Sequence, residues 1–243
     1  IPVEKAVIPK AGSYRSSTKS IGDPADIERL ANILVASERP AVLFGQQVWA
    51  SGSHTSAIEF IRSLDIPAYM NGASRGMLPE TDPHHFDRTR SDAFKEADVI
   101  LIVGTPFDFR MGYGRRMSNA ATLVQIDQSY ATVGKNRDIS LGLAGDPGAI
   151  LKAVEQAASG RIDNGAQKQR QAWMARLREI EKAKLEKLLP MFQSEQNPIH
   201  PYRLAYEVNE LLNEDTIYIG DGGDIVTISA QAVRPRGPGQ WMD

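Results

Sequence analysis

Between residues 23 and 158 the chain alternates short, largely apolar runs with amphipathic segments, and this alternation constrains the fold more than anything else in the sequence. Ala41-Val42-Leu43-Phe44 and Ala97-Asp98-Val99-Ile100-Leu101-Ile102-Val103 carry almost no polar residue. A strand with one wet face alternates apolar and polar side chains. A strand that is apolar at every position is covered on both faces, and a parallel sheet flanked by helices provides that cover. Ile66-Pro67-Ala68-Tyr69-Met70, Thr122-Leu123-Val124-Gln125-Ile126 and Ile139-Ser140-Leu141-Gly142-Leu143-Ala144 read the same way. Pro67 belongs at a strand start, where no ladder N–H is lost. The expected fold class is α/β: a doubly wound, Rossmann-like parallel sheet with helices on both faces, followed by the start of a second α/β domain.

Helix signals fill the gaps. Asp23 is an N-cap, Pro24 suits the first helical position, and Ile27, Leu30, Ala31 and Leu34 share a face until Pro40 breaks the pattern. A second helix runs from about Ser53 with Ala57, Ile58, Ile61 and Leu64 inward, and a short one lies near Ser91–Glu96. Asp146-Pro147 repeats the cap-plus-proline signal for a helix to about Ala158. From Gln167 to Leu189 one long helix carries a thin apolar stripe of Trp173, Leu177, Ile180 and Leu188. Beyond Asn197-Pro198 comes a helix with Leu204, Val208, Leu211 and Leu212. A strand Thr216–Ile219 then ends at Gly220-Asp221-Gly222-Gly223-Asp224, and a helical stretch Ile225–Val233 comes next. A helix, a strand and a helix bury no core of their own, so the expected division is a linker at 1–22 (Gly12, then Ser16-Ser17-Thr18-Lys19-Ser20), a nucleotide-binding domain at 23–160, a helical linker at 161–197 and the opening of another domain at 198–243.

Composition narrows the function classes. The 28 lysines and arginines face 30 acids, a net charge of −2, which gives no electrostatic case for nucleic acid or an anionic membrane as partner. Cysteine is absent, which removes thiolate nucleophiles, thiolate metal sites and disulfides. No apolar run approaches the roughly 18 residues of a membrane span, and Ile1-Pro2-Val3-Glu4-Lys5 has neither a signal-peptide core nor an initiator methionine. The expectation is a cytoplasmic protein, processed or cut from a longer one.

Ligands of parallel sheets bind beyond the carboxyl ends of the strands. Five segments stand there: Gly45-Gln46-Gln47, Asn71-Gly72, Gly104-Thr105-Pro106-Phe107-Asp108-Phe109-Arg110, Asp127-Gln128 and Gly145-Asp146. In the third, either Asp108 and Arg110 contact a nucleotide on which Phe107 packs, or the two charges only tie the loop to itself. Asp127 suits a ribose diol, two acceptors for two donors, or else caps the segment after it. Gly45-Gln46-Gln47 offers backbone N–H groups to a pyrophosphate, although no G-x-G-x-x-G is present. His84-His85 invites a metal reading, but neighbouring histidines point apart and no third ligand is spaced to help. His54 and His200 read as surface or cap residues, and Trp173 as core.

Taken together and in order, these motifs make the chain resemble a piece of a thiamine diphosphate-dependent enzyme of the acetolactate synthase group, with 2-hydroxyacyl-CoA lyase, oxalyl-CoA decarboxylase and benzaldehyde lyase as near relatives. Ile1-Pro2-Val3 resembles the end of the family's pyrimidine-binding domain, and Arg39-Pro40-Ala41-Val42-Leu43-Phe44-Gly45 the first strand of its central domain. Gly104–Arg110 is similar to Gly-x-Arg-Phe-Asp-x-Arg, with Pro106 at the first arginine; Ile126-Asp127, Val133-Gly134-Lys135-Asn136 and Gly145-Asp146 complete the series. Gln46-Gln47 stands where flavin-binding members have glycines. The resemblance implies FAD, in a structural role, or ADP in the central domain, held by Gly45, Gln46, Gln47, Asn71, Gly72, Gly104, Asp108, Arg110, Asp127, Gln128, Gly145 and Asp146. It implies that Gly222, Gly223 and Asp224 approach the phosphates of thiamine diphosphate. Gly220-Asp221-Gly222 looks like the family's magnesium motif, but only 21 residues come after Gly222 and none is asparagine, so Asp221 is assigned no metal. In the complete enzyme the family holds thiamine diphosphate and Mg2+, acts on small 2-oxo acids or acyl-CoA substrates, and assembles as a homo-oligomer, a dimer or tetramer. The activating glutamate belongs to the pyrimidine-binding domain, so this chain alone is expected to be inert. A free-standing FAD, ADP or NAD module, or a purely structural domain, is the other reading of the same residues.

Overall fold

The computed structural model describes residues 18–243; Gly12, Ser16-Ser17 and the Ile1-Pro2-Val3 resemblance lie outside the described residues. Five parallel strands form the main sheet: β1 (Pro40–Phe44), β2 (Ala68–Met70), β3 (Val99–Val103), β4 (Thr122–Asp127) and β5 (Leu141–Ala144), in the order β2-β1-β3-β4-β5. The order reverses between β1 and β3. At that point neighbouring loops leave in opposite directions and a crevice opens beyond the carboxyl ends.

Strands β1 to β4 each serve two cores, which is why their sequences are mostly apolar on both faces, while β5 gives Leu141 and Leu143 to one core. Val42, Phe44, Leu101, Val103, Val124 and Ile126 face one side, against α1 (Pro24–Ala36), α3 (His54–Leu64) and α5 (Pro147–Ala158). Ala41, Leu43, Ile100, Ile102 and Leu123 face the other, with Phe94 of α4 (Arg90–Glu96) and Trp173 and Leu177 of α6 (Asn164–Phe192). The caps read from the sequence are in place. Asp23 accepts from the Ala25 N–H at 2.8 Å, and Asp146 from the Ala149 N–H at 2.9 Å.

Helix α6 departs from the expected stripe. Its buried positions are Arg170, Trp173, Leu177, Glu181 and Phe192, with Ile180 and Leu188 only half-buried. Arg170 is fully buried and, among the described residues, has no carboxylate partner. It donates instead to Leu34 O and Ser37 O at the end of α1 and to Leu64 O at the end of α3. A guanidinium at two helix C-termini satisfies orphan carbonyls and meets the negative ends of two helix dipoles. Trp173 Nε1 donates to Pro40 O at 3.0 Å, which places this tryptophan in the core as expected. Eleven residues along from Arg170, Glu181 accepts from the N–H groups of Arg88 (2.9 Å) and Thr89 (3.0 Å), just before α4 begins.

Beyond α6 come α7 (Pro201–Leu211), β6 (Tyr218–Ile219), α8 (Gly223–Ala232) and β7 (Trp241–Met242); β6 and β7 pair in parallel. His200 caps α7, its Nδ1 accepting from the Tyr202 N–H. The leucines that α7 carries do not form its buried face. Ala205 is buried, while Leu204 and Leu211 are exposed, Leu211 at 79%. Phe192 of α6 stacks on Tyr206 and packs beside Tyr202, and this aromatic contact turns the helix. Ile217, just before β6, and Ile219 within it are exposed as well. Trp241, by contrast, is fully buried, stacked on Tyr218 at 4.8 Å with Arg75 over its ring at 5.1 Å.

Replacing Arg170 by methionine strands the Ser37 and Leu64 carbonyls and leaves Leu34 O with the Ser37 N–H alone, and the expected loss of unfolding free energy is about 3 kcal/mol. Lysine at the same position recovers about half or less, because one ammonium cannot span the two helix ends. Urea unfolding of the three proteins measures both differences.

Candidate functional site at the carboxyl rim of the sheet

The five segments singled out from the sequence form one continuous rim. At the reversal of strand order, the Gly45 N–H donates to Val103 O at 2.7 Å and the Gln47 N–H to Gly104 O at 3.2 Å. The backbones touch so closely that a Cβ on Gly45 would lie 2.5 Å from Gly104 O and collide with Thr105 Cβ. Gly104 has φ +71°, and a Cβ there would sit 2.7 Å from Gln47 Cβ. Both positions therefore exclude every side chain, and the loops after β1 and β3 close on each other. The segment after Gly45, read as loop, is a short helix, α2 (Gln46–Ala50), whose first turn fills the mouth of the crevice.

Asp127, at the end of β4, is fully buried. Its Oδ1 accepts from Gln47 Nε2 at 3.1 Å and from the Ser129 N–H at 2.8 Å. The Gln47 side-chain carbonyl accepts in turn from the Gln128 N–H at 2.9 Å. Among the described residues the Asp127 Oδ2 has no partner, which is costly for a buried carboxylate oxygen unless a donor arrives. Gln46, Asn71, Gly72 and Arg110 border a shallow polar depression with Thr105, Pro106 and Asp243. Gly145 and Asp146 complete the rim. The Gly145 N–H donates to Asp127 O, and the segment Lys19-Ser20 lies against the pair: the Asp146 N–H donates to Ser20 O, and Lys19 Nζ pairs with Asp146 at 3.2 Å.

The loop after β3 ties itself together. Asp108 caps a 3-10 turn (Phe109–Gly114) by accepting from the Arg110 N–H, and its Oδ2 pairs with the Arg110 guanidinium at 2.7 Å. The aromatic expected to pack on a ligand is misassigned. Phe107 is buried in the core, with its carbonyl accepting from Asn136 Nδ2, and the outward aromatic is Phe109, 74% exposed. In the second unit, Gly222, Gly223 and Asp224 are exposed at the start of α8, and no hydrogen bond among the described residues joins them to the rim. A Cβ at Gly222 or Gly223 would meet nothing within 4 Å.

A charged knot beside the rim carried no motif. Asp87 lies between Arg75 (3.8 Å), Arg234 (3.5 Å) and His85 (3.6 Å), and Arg234 also reaches Glu80 at 3.4 Å. Burial by itself raises the Asp87 carboxyl, yet Arg234, His85, Arg75 and Arg88 outweigh it and hold the group below the usual carboxylate range. Burial depresses His85, helped by Arg234 and opposed by Asp87, Glu80 and Glu181. The two histidines do point apart: His84 lies between Asp65 and Asp82, and His85 faces Asp87. The only sequence trace of this knot is the density of charge in Asp87-Arg88-Thr89-Arg90, which looks like an exposed helix start.

Residues 27–154 match the sequence signature of the family described as thiamine pyrophosphate enzyme, central domain. The chain belongs to the thiamine pyrophosphate enzymes. It is 31% identical over 224 residues to 2-hydroxyacyl-CoA lyase 2 of Danio rerio, covering 89% of this chain and 35% of that one. It is 32% identical over 224 residues to an acetolactate synthase large subunit of Mycobacterium tuberculosis, covering 89% and 38%. Among solved structures, benzoylformate decarboxylase from Polynucleobacter necessarius superposes with a TM-score of 0.68 at 17% identity, over 97% of this chain and 43% of that one, which supports the α/β fold. The chain thus spans little more than a third of the length of the curated relatives it matches.

His85 sets a pH dependence. Its depressed folded pKa means that the unfolded chain binds the proton more readily, so its contribution to stability is complete above about pH 6.5 and falls as the pH drops through that value toward the folded pKa. Urea midpoints taken between about pH 7.5 and 5.5 are expected to decline in the native protein and to flatten in His85→Gln. At Gly45, alanine is expected to cost about 2 kcal/mol or more, because backbone rather than a flexible side chain must move. The shift of its urea midpoint measures that cost.

Proposed function

We propose that this chain is the central, adenine-nucleotide-binding part of a thiamine diphosphate-dependent carboligase or decarboxylase, joined to the opening of its diphosphate-binding domain. On this reading residues 23–160 are the central domain, 161–197 a helical linker and 198–243 the beginning of the next unit. The observation that carries the nucleotide reading is Asp127, whose buried Oδ2 awaits a donor beside two glycines that let backbone approach the crevice. A ribose hydroxyl supplies that donor once the Gln47 amide turns aside. FAD or ADP fits this demand, with Gly45, Gln46, Asn71, Gly72, Gly104 and Arg110 along the phosphates and Gln128, Gly145 and Asp146 beside the ribose.

The start of α8 is the candidate contact to thiamine diphosphate. Gly222 and Gly223 have positive φ, space around them and an N-terminus with no side-chain cap, all of which suit an approaching phosphate. When bound with Mg2+, that cofactor supplies an electron sink for cleaving or forming a bond next to a carbonyl. The residues of this chain contribute binding and orientation. The acid-base group that activates the cofactor is assigned to another domain of a longer protein, so the isolated chain is inert. The substrate is a 2-oxo acid such as pyruvate, as the resemblance to acetolactate synthase supports; the similarity to 2-hydroxyacyl-CoA lyase 2 supports an acyl-CoA lyase as the second reading. A cytoplasmic location and assembly as a homodimer or homotetramer belong to the same proposal. No helix among the described residues is long and apolar enough to cross a membrane.

Titration calorimetry of the purified protein with ADP and with FAD tests the nucleotide reading. Saturable binding of one of them is expected, weakened about tenfold or more in Asp127→Asn, which loses a charge-assisted bond. Unchanged affinity in that variant would count against the assignment. Acetolactate formed from pyruvate by the isolated chain would overturn the claim that it is inert.

A further inference from the structure

A second cleft, separate from the ribose position at Asp127, lies between α4 and the 3-10 turn that comes after β3. It is an open hollow of about 590 Å³, and the charged side chains on its wall are three arginines: Arg90, Arg110 and Arg116. No carboxylate lines it. Arg110 is already paired with Asp108, but Arg90 and Arg116 make no hydrogen bond or salt bridge among the described residues. The nearest charges to Arg90 include two more cations, Arg75 and Arg116, with Asp87 as the opposing charge. Its position is also forced, since it is the first residue of α4, whose preceding N–H groups are already taken by Glu181. The remaining wall is apolar: Phe94, Met111 and Met117 are buried beneath the surface and Phe109 stands out from it, 74% exposed.

Uncompensated guanidinium groups repel one another and are poorly solvated where they are half-buried. An anion removes both costs, and phosphate accepts from two guanidinium groups at once. Exposed phenylalanine beside methionine is likewise an unfavourable surface that a flat apolar group would cover. We propose that this cleft binds a small organic phosphate monoester with a planar apolar body, the phosphate between Arg90 and Arg116 and the body against Phe109 and Met117. Burial and the neighbouring Arg75 hold the Arg90 guanidinium below its usual pKa, and a bound dianion would reverse that. The cleft shares Arg110 with the nucleotide reading above, but Arg90, Arg116 and Phe109 take no part in that reading.

Phenyl phosphate is the probe, titrated into the purified protein by calorimetry, with inorganic phosphate and phenol run alongside. Phenyl phosphate is expected to bind saturably and more tightly than either fragment. Arg116→Gln, an exposed position whose replacement leaves the fold intact, is expected to weaken it about tenfold, and Arg90→Gln to do at least as much. Arg115→Gln, which removes the same charge from a side chain stacked on Tyr113 outside the cleft, leaves the affinity unchanged. Equal affinity in the wild type and Arg116→Gln, equal weakening by Arg115→Gln, or inorganic phosphate binding as tightly as phenyl phosphate would each overturn the proposal.

Discussion

Helix α6 is held to the sheet by polar groups, and the placement of everything after it depends on them. Nearly half of its 29 residues are polar or charged, and Trp173 and Leu177 alone would let it slide or rotate on an apolar face. Arg170 removes that freedom by bonding the carboxyl ends of two helices, and Glu181 fixes the other end by bonding the backbone before α4. Hydrophobic contact is tolerant of small shifts, whereas a buried guanidinium or carboxylate missing its partners costs several kilocalories per mole. The two charges, eleven residues apart on one face, therefore set both the height and the rotation of the helix. Its last turns then deliver Phe192 to α7, and through α7 the short β6–β7 sheet.

That delivery brings the second unit to the rim. Trp241 packs with Arg75 over its ring, Gly76 admits the backbone of Gly237 where a side chain would collide, and Asp243 Oδ1 lies 3.5 Å from the Cβ position of Gly72. The junction is polar as well as apolar, with Arg234 from the second unit meeting Asp87 and Glu80 from the first. Ion pairs of this kind add little net stability against an apolar alternative, because desolvation opposes the attraction, but they tolerate few geometries. The unit is located by charge and by glycine, with large apolar side chains such as Leu211 and Ile219 left facing outward.

The main sheet was legible because its signal is redundant. Strands β1 to β3 are apolar on both faces, aspartates cap the helices before β1 and after β5, and the glycines mark strand ends, so the order of elements and the rim residues emerge together. The errors lie where one residue type serves two environments. Phe107 and Phe109 are chemically equal, and the turn that starts at the Asp108 cap between them leaves one in the core and the other outside. Leu204 and Leu211 fit a helical period, but an aromatic contact from the last turn of the preceding helix chooses the face. Arg170 and Glu181 fall at core spacing from Trp173 and Leu177, and that spacing was the one clue to their burial. Charge at such positions reads as solvated unless its partners are known, and here the partners are backbone groups more than 90 residues away in sequence. Gln46–Ala50 was missed because five residues carry too little periodicity to announce a helix.

The rim contains one contradiction that the fold alone does not resolve. Gly45 and Gly104 forgo side chains so that backbones can meet, yet the Gln47 amide and half of the Asp127 carboxylate occupy the space they create. If packing alone had shaped the site, an apolar pair at these two positions would fill it without burying a carboxylate oxygen that lacks a donor. On the proposed nucleotide reading, the cost of that oxygen is borne in the absence of a ligand and recovered when a hydroxyl arrives, so it adds directly to the difference in free energy between the empty and filled states. Gln47 moderates the cost by satisfying Oδ1, and being a flexible neutral amide it leaves without stranding a charge. A buried acid half-satisfied by a removable side chain, at the point where the strand order reverses, makes physical sense as the resting form of a binding site.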